Sequence, residues 1–200
     1  MMRTERGKLF VVSGPSGAGK STVIARVMAA RDDLAFSVSA TTRGPRDGEI
    51  HGINYFFIDH KCFDEMIAND EFLEYAEYVT NFYGTPRQAV MDKLASGMNV
   101  LLDIEVQGAA QVRERMPEAV TIFLTPASFT DLEQRLRNRH QDSEEMIQSR
   151  LERAKSEYRA AESYDYIVIN DDPDVAANEL NSIITAELCR TVERIKYLEV

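Results

Sequence analysis

One stretch limits the possible folds more than any other: Gly14-Pro15-Ser16-Gly17-Ala18-Gly19-Lys20-Ser21, which fits G-x-x-x-x-G-K-[ST]. The apolar run Leu9-Phe10-Val11-Val12 precedes it, and Val23, Ile24, Val27 and Met28 follow at helical spacing. A buried strand, a glycine-rich turn and an amphipathic helix are therefore expected in that order. Glycines let the backbone wrap so that its N–H groups point inward at phosphate oxygens. The helix N-terminus adds partial positive charge. Lys20 is placed to reach the β- and γ-phosphates, and the Ser21 hydroxyl to ligate Mg²⁺. A chance match to this spacing has odds on the order of 1%, so the loop implies a bound nucleoside triphosphate.

Net charge narrows the partners. The chain has 23 basic and 33 acidic side chains, a net of −10. That argues against generic nucleic-acid or anionic-membrane binding, while leaving room for a small anion in a local basic pocket. The acid is concentrated at residues 61–80 and 160–200, and residues 1–60 are slightly basic. No apolar stretch is long enough for a membrane span, and the N-terminus lacks the apolar core of a signal peptide, so a cytoplasmic protein is expected. Cys62 and Cys189 lie far apart and read as thiols in a reducing compartment. His51, His60 and His140 are isolated and read as surface or loop residues.

The 200 residues suit one domain. Further strands are expected at 35–41, 53–58, 71–79, 100–103, 120–124 and 166–169. Tyr83-Gly84-Thr85-Pro86 reads as a turn that starts a helix ending near Gly97. Ser128 starts another helix, Asp142 with Glu145 caps the next through about 162, and Asp172-Pro173 caps the last. Leu180, Ile184, Leu188 and Val192 form an apolar stripe on that last helix, suited to core packing or to a dimer. Alternating strands and helices predict an α/β fold with a mostly parallel sheet. Residues 42–86 break the alternation and read as an inserted, strand-rich subdomain.

Three further groups carry chemistry. Asp103 ends an apolar strand, as a carboxylate near Mg²⁺ should, and Glu105 points to the same side of an extended chain. Arg43 and Arg46 sit three apart on a Gly/Pro turn; the pair fits a bidentate phosphate grip, or an idle solvated turn. Arg135, Arg139 and Arg150 lie in a helical segment of balanced charge, and fit either mobile phosphate-closing arginines or surface ion pairs.

The stretches SGPSGAGKST (13–22), SVSATTRGPRDGEIHGINYFF (37–57), EFLEYAE (71–77), YGTP (83–86), LLDIEVQGA (101–109), LRNRHQDSEEMIQSRL (136–151) and YDYIVINDD (164–172) together resemble the guanylate kinase family from Leu9 to about Leu188. The resemblance implies a P-loop nucleoside-triphosphate-binding α/β fold, its parallel core sheet flanked by helices. It assigns 1–37, 88–127 and 161–200 to the core, 38–87 to an inserted GMP-binding subdomain, and 128–160 to a helical lid. It implies Mg²⁺-dependent phosphoryl transfer from ATP to GMP, with dGMP as a further acceptor.

By resemblance, Gly14, Pro15, Ser16, Gly17, Ala18, Gly19, Lys20, Ser21 and Thr22 hold the ATP phosphates, and Asn170 lies at the adenine. Arg43, Arg46, Tyr55 and Tyr83 match the family's GMP-phosphate ligands. Ser39, Glu74, Thr85 and Glu105 match its guanine readers, with Asp103 beside them. Lys20, Arg43, Arg135, Arg139 and Arg150 are the implied catalytic cations, and Ser21 and Asp103 the implied Mg²⁺ ligands.

Guanine presents N1–H and an exocyclic amine side by side, so a carboxylate such as Glu74 accepts from both, whereas adenine N1 would face it with a lone pair. The acceptor phosphate, with a second pKa of about 6, is largely dianionic and needs no general base. One departure stands out: Asn138-Arg139-His140-Gln141 replaces the Gly-Arg-Gly-Thr more usual in the family, at the lid bend. Two rival readings are a catalytically inactive guanylate-kinase-like binding module, expected to carry a degraded P-loop, and a ribose-bisphosphate kinase, expected to lack the FLE and YGTP set.

Overall fold

In a computed structural model, which describes residues 6–78, 80–138 and 143–198, the first apolar run forms β1 (Leu9–Ser13), buried at every position. The chain then runs through α1 (Lys20–Ala29), β2 (Leu34–Phe36), β3 (Ala40–Thr41), β4 (Phe56–Phe57) and α2 (His60–Ala68). It continues with β5 (Phe72–Tyr78), β6 (Asn81–Pro86), α3 (Arg87–Ala95), β7 (Asn99–Asp103) and α4 (Val106–Arg115). Then follow β8 (Val120–Thr125), α5 (Phe129–Arg137), α6 (Glu144–Ala160), β9 (Tyr166–Ile169), α7 (Pro173–Leu188) and α8 (Thr191–Arg194).

These elements form two units. One comprises the described residues through Leu9 together with Asp33–Ala119; the other comprises Phe10–Asp32 and the described residues from Val120 onward. Parallel strands run through each of them. In the first unit β2 pairs with β7, and Val100 N–H donates to Lys8 O at the start of β1. In the second, β1 pairs with β8 and β8 with β9, all parallel. β8 reads VTIFLT and is buried throughout, the apolar run expected of a strand covered on both faces.

The first unit also holds a four-stranded sheet of order β4-β3-β6-β5. Its apolar side packs on α2, where Ala40, Phe63 and Phe72 are buried and the Phe63 and Phe72 rings stack at 4.4 Å. In the second unit α5 and α6 pack on one another through Leu132, Leu136, Ile147, Leu151 and Ala154. There α1 and α7 pack together, tied by the Arg26–Asp174 ion pair (2.8 Å) and by Arg31 donating to Asn181 Oδ1 (2.9 Å).

Several local expectations change. The single strand expected at 35–41 is two, because β2 pairs with β7 while β3 pairs with β6 in the other sheet. The strand expected at 53–58 is reduced to Phe56–Phe57. Tyr83-Gly84-Thr85-Pro86 is no turn: it lies in β6, paired antiparallel with β5, and Pro86 is the N-cap of α3. Gly84 is buried there, and a Cβ in its place would come within 2.8 Å of the Phe72 ring.

Helix α4 was not foreseen, although Ala109, Val112 and Met116 are buried at helical spacing. Ser143 caps α6, its side chain accepting from Met146 N–H; the expected cap, Asp142, lies outside the described residues. The stripe on α7 holds at Leu180 and Ile184, but Val192 falls on α8 and is exposed. Gly97, at φ 89°, ends α3 as expected, with Met98 N–H donating to Lys93 O.

Candidate active site

In the second unit the phosphate loop is shaped by three glycines with positive φ: Gly14 (147°), Gly17 (94°) and Gly19 (90°). An L side chain is strained at each, and a Cβ at Gly14 would also fall on the Leu124 carbonyl. Gly19 caps α1 without a side-chain hydrogen bond, so the first-turn N–H groups have no side-chain partner from the cap. Lys20 Nζ donates to Gly14 O at 2.7 Å, across the loop it belongs to. Ser21 is exposed in the first turn of α1.

Later chain segments brace this loop. Asn170, 1% exposed, donates from Nδ2 to Ala18 O at 2.7 Å. Arg135 donates to Asn170 O (2.6 Å) and Ala18 O (3.4 Å), and Arg150 to Ser16 Oγ (3.4 Å). The Oδ1 of Asn170 is buried with no hydrogen-bond partner among the described residues. Ser16, Ala18, Lys20, Arg135, Arg150 and Asn170 are thus brought together. Arg139, with His140, lies outside the described residues.

The first unit gathers the other group. Arg43 makes a bidentate pair with Glu49, both contacts at 2.9 Å, and lies 5.5 Å from the Tyr55 ring centroid. That pair, with Arg46 N–H also donating to Glu49, holds the Glu49 carboxyl down at about 2. Tyr55 and Tyr83 meet edge to face at 5.9 Å, and burial pushes the Tyr55 hydroxyl pKa up. Arg46 is exposed. Arg43, Tyr55 and Tyr83 therefore form one cluster, with Arg46 at its margin.

Glu74 stands opposite Thr85 across β5 and β6, on one face of the sheet. It is 4% exposed, and Thr85 donates to it from its hydroxyl at 2.6 Å and from its backbone N–H. Burial raises the Glu74 carboxyl to about 7 against those two bonds, and nearby Glu105 pushes the same way. A buried carboxylate with so few donors is a demanding acceptor for a partner offering N–H groups. Ser39 lies beside β3 and accepts from Phe56 N–H through its carbonyl, Asp103 ends β7, and Glu105 begins α4.

The family model described as Guanylate kinase matches residues 6–187. The chain belongs to the guanylate kinase family. It is 46% identical over 192 residues to a guanylate kinase of Carboxydothermus hydrogenoformans, covering 96% of this chain and 94% of that one. It is 49% identical over 187 residues to the guanylate kinase of Escherichia coli K12, covering 92% and 90%. The crystal structure of guanylate kinase from Anaplasma phagocytophilum superposes with a TM-score of 0.78 at 34% identity, covering 96% of this chain and 92% of that one.

Four residues at these guanylate kinase positions were missed in the sequence. Glu49 pairs with Arg43, and Gly108, Gln111 and Arg115 of α4 lie against β5 around Glu74. The signal for Glu49 was its place six residues after Arg43 on a tight turn; the α4 residues needed the missed helix to be seen.

Proposed function

We propose that this chain transfers the γ-phosphoryl group of ATP to GMP, giving ADP and GDP, with Mg²⁺ accompanying the ATP and dGMP as a second acceptor. The observation that carries this reading is the buried Glu74–Thr85 pair, in a chain whose phosphate loop is intact. Glu74 would accept from guanine N1–H and the exocyclic amine, with Ser39, Thr85 and Glu105 around the base. Arg43, Arg46, Tyr55 and Tyr83 would hold the GMP phosphate, and Asp103 lies at the end of β7 nearby in the same unit. The corresponding domain reading is a GMP-binding subdomain at 38–87, a lid at 128–160, and a core from 1–37, 88–127 and 161–200.

On the donor side, the backbone of Gly14 through Thr22 would cradle the triphosphate, and Asn170 would lie at the adenine. Lys20, Arg135, Arg139 and Arg150 would offset the charge that builds as the phosphoryl group transfers, with Arg43 doing so at the acceptor. Mg²⁺ suits the donor set: Ser21 offers a hard hydroxyl oxygen in the first turn of α1, Asp103 a carboxylate, and Mg²⁺ takes few protein ligands beside phosphate and water. When bound, the ion neutralises phosphate charge and orients the transferred group. The acceptor dianion attacks without a general base.

The test is ADP production from ATP with GMP, AMP, CMP and UMP in turn. Turnover with GMP and Mg²⁺, and far less with the others, is the expected result; equal turnover of AMP and GMP overturns the guanine assignment.

A further inference from the structure

Glu74 lies on β5, the edge strand of the four-stranded sheet, where its backbone has no further strand to pair with. Helix α4 supplies the missing partners. Gln111 donates from Nε2 to Tyr75 O (2.7 Å) and accepts from Tyr75 N–H (3.2 Å), as a neighbouring strand would. Arg115 donates to Phe72 O (2.5 Å) and Leu73 O (3.3 Å), across the register shift between Phe72 and Glu74. The backbone is thus held on both sides of Glu74.

The side chain is confined too. Gly108 is buried, and a Cβ there would overlap Glu74 Oε2 and lie 2.9 Å from its carboxyl carbon. A surface carboxylate would swing aside, but this one is 4% exposed and bonded to Thr85. Gly108, Gln111 and Arg115 are spaced by three and four residues, so they share one face of α4.

We infer that this face of α4 is the positioning device for guanine recognition, with Gly108 leaving the space the Glu74 carboxylate occupies and Gln111 and Arg115 fixing the strand that carries it. The inference rests on Glu74 reading guanine. None of the three residues need touch the base: they set where the carboxylate stands, and a displacement of about 1 Å at such a group is enough to lose a well-formed hydrogen bond.

The experiment is a double-mutant cycle on the full chain, with Gly108→Ala, Glu74→Ala and the double variant, reading KM for GMP and for ATP. Gly108→Ala is expected to raise KM for GMP by about tenfold or more and to leave KM for ATP within about twofold. In the Glu74→Ala background the same change is expected to alter KM for GMP by less than about twofold, since the atom it displaces is gone. Equal effects in both backgrounds, or no effect in either, would overturn the inference. Should Gly108→Ala fail to fold, folding of the double variant supports the inference, because removing Glu74 then restores the room; failure of both overturns it. If Glu74→Ala itself leaves KM for GMP unchanged, the guanine reading falls and the inference with it. If only Gly108→Ala is silent, the inference alone falls.

Discussion

The phosphate loop of the second unit and the Glu74 site of the first are built by opposite means. The loop is backbone: three glycines at positive φ shape it, and its one cation, Lys20, rests on the loop's own Gly14 carbonyl. The Glu74 site is side chain: a carboxylate and a hydroxyl facing each other across two strands, with a helix behind them. Backbone N–H groups suit phosphate oxygens, which every nucleoside triphosphate carries. A buried carboxylate suits one pattern of donors and penalises the rest, because an unmatched partner leaves it desolvated and unpaired. On the proposed function, the contrast gives strength of phosphate binding to one region and choice of base to the other.

The two regions should therefore fail in different ways. Lys20→Ala is expected to lower kcat by about a thousandfold while GMP affinity, read by calorimetry, stays within about twofold. A large loss of GMP affinity would break the contrast. Glu74→Gln is expected to raise KM for GMP by about a hundredfold with KM for ATP unchanged, because the amide offers one acceptor and turns a donor toward the other guanine N–H. Steady-state kinetics in both substrates reads this directly. Arg43→Lys replaces a bidentate fork with a point charge and should raise KM for GMP by about tenfold.

The raised Glu74 carboxyl makes pH a finer probe. Its pKa of about 7 lies above the ordinary 4.5, so the fold favours the neutral acid. Glu74 thus costs stability as pH rises from about 4.5 through 7, by on the order of 3 kcal/mol at most. On the proposed function GMP capture needs the ionised form, so affinity should move the other way, about tenfold weaker at pH 6 than at its alkaline plateau. Glu74→Gln removes both trends apart from the phosphate's own titration near pH 6. Calorimetric titration and denaturant unfolding across pH 5–8 measure the two slopes, and slopes of the same sign would show that another group governs one of them. The smallest effect is expected from Asp172→Ala. It removes the carboxylate that accepts from Asp174 and Val175 N–H, and should lower stability by about 1 kcal/mol with both KM values unmoved.

The contrast also explains what could be read in the sequence. The loop was legible because its function is local: glycine, lysine and serine at fixed spacing between a strand and a helix. Asp172-Pro173 and Ser128 were legible for the same reason, as caps announce themselves within four residues. The surroundings of Glu74 were not. Gly84 and Pro86 have turn composition, yet Gly84 leaves room for the Phe72 ring, and Pro86 closes β6, with the next N–H, that of Arg87, donating to Glu71 O. Gly108 weakened the helical pattern of α4, and its reason, the Glu74 carboxylate, lies 34 residues away in the chain. Positions set by partners distant in sequence carry no local signature. The family resemblance points to Glu74, and the packing around it is set only by the fold.

The hydrogen bond from Asn170 to Ala18 joins residues 152 apart. A ribosome adding about 5–20 residues per second makes the loop early and its brace roughly 8–30 seconds later. For most of that interval the loop exists without Arg135 or Arg150, and for all of it without Asn170. Nucleotide in the cell is therefore expected to guide the last stage of biogenesis rather than the first, stabilising the chain only once β9 has emerged.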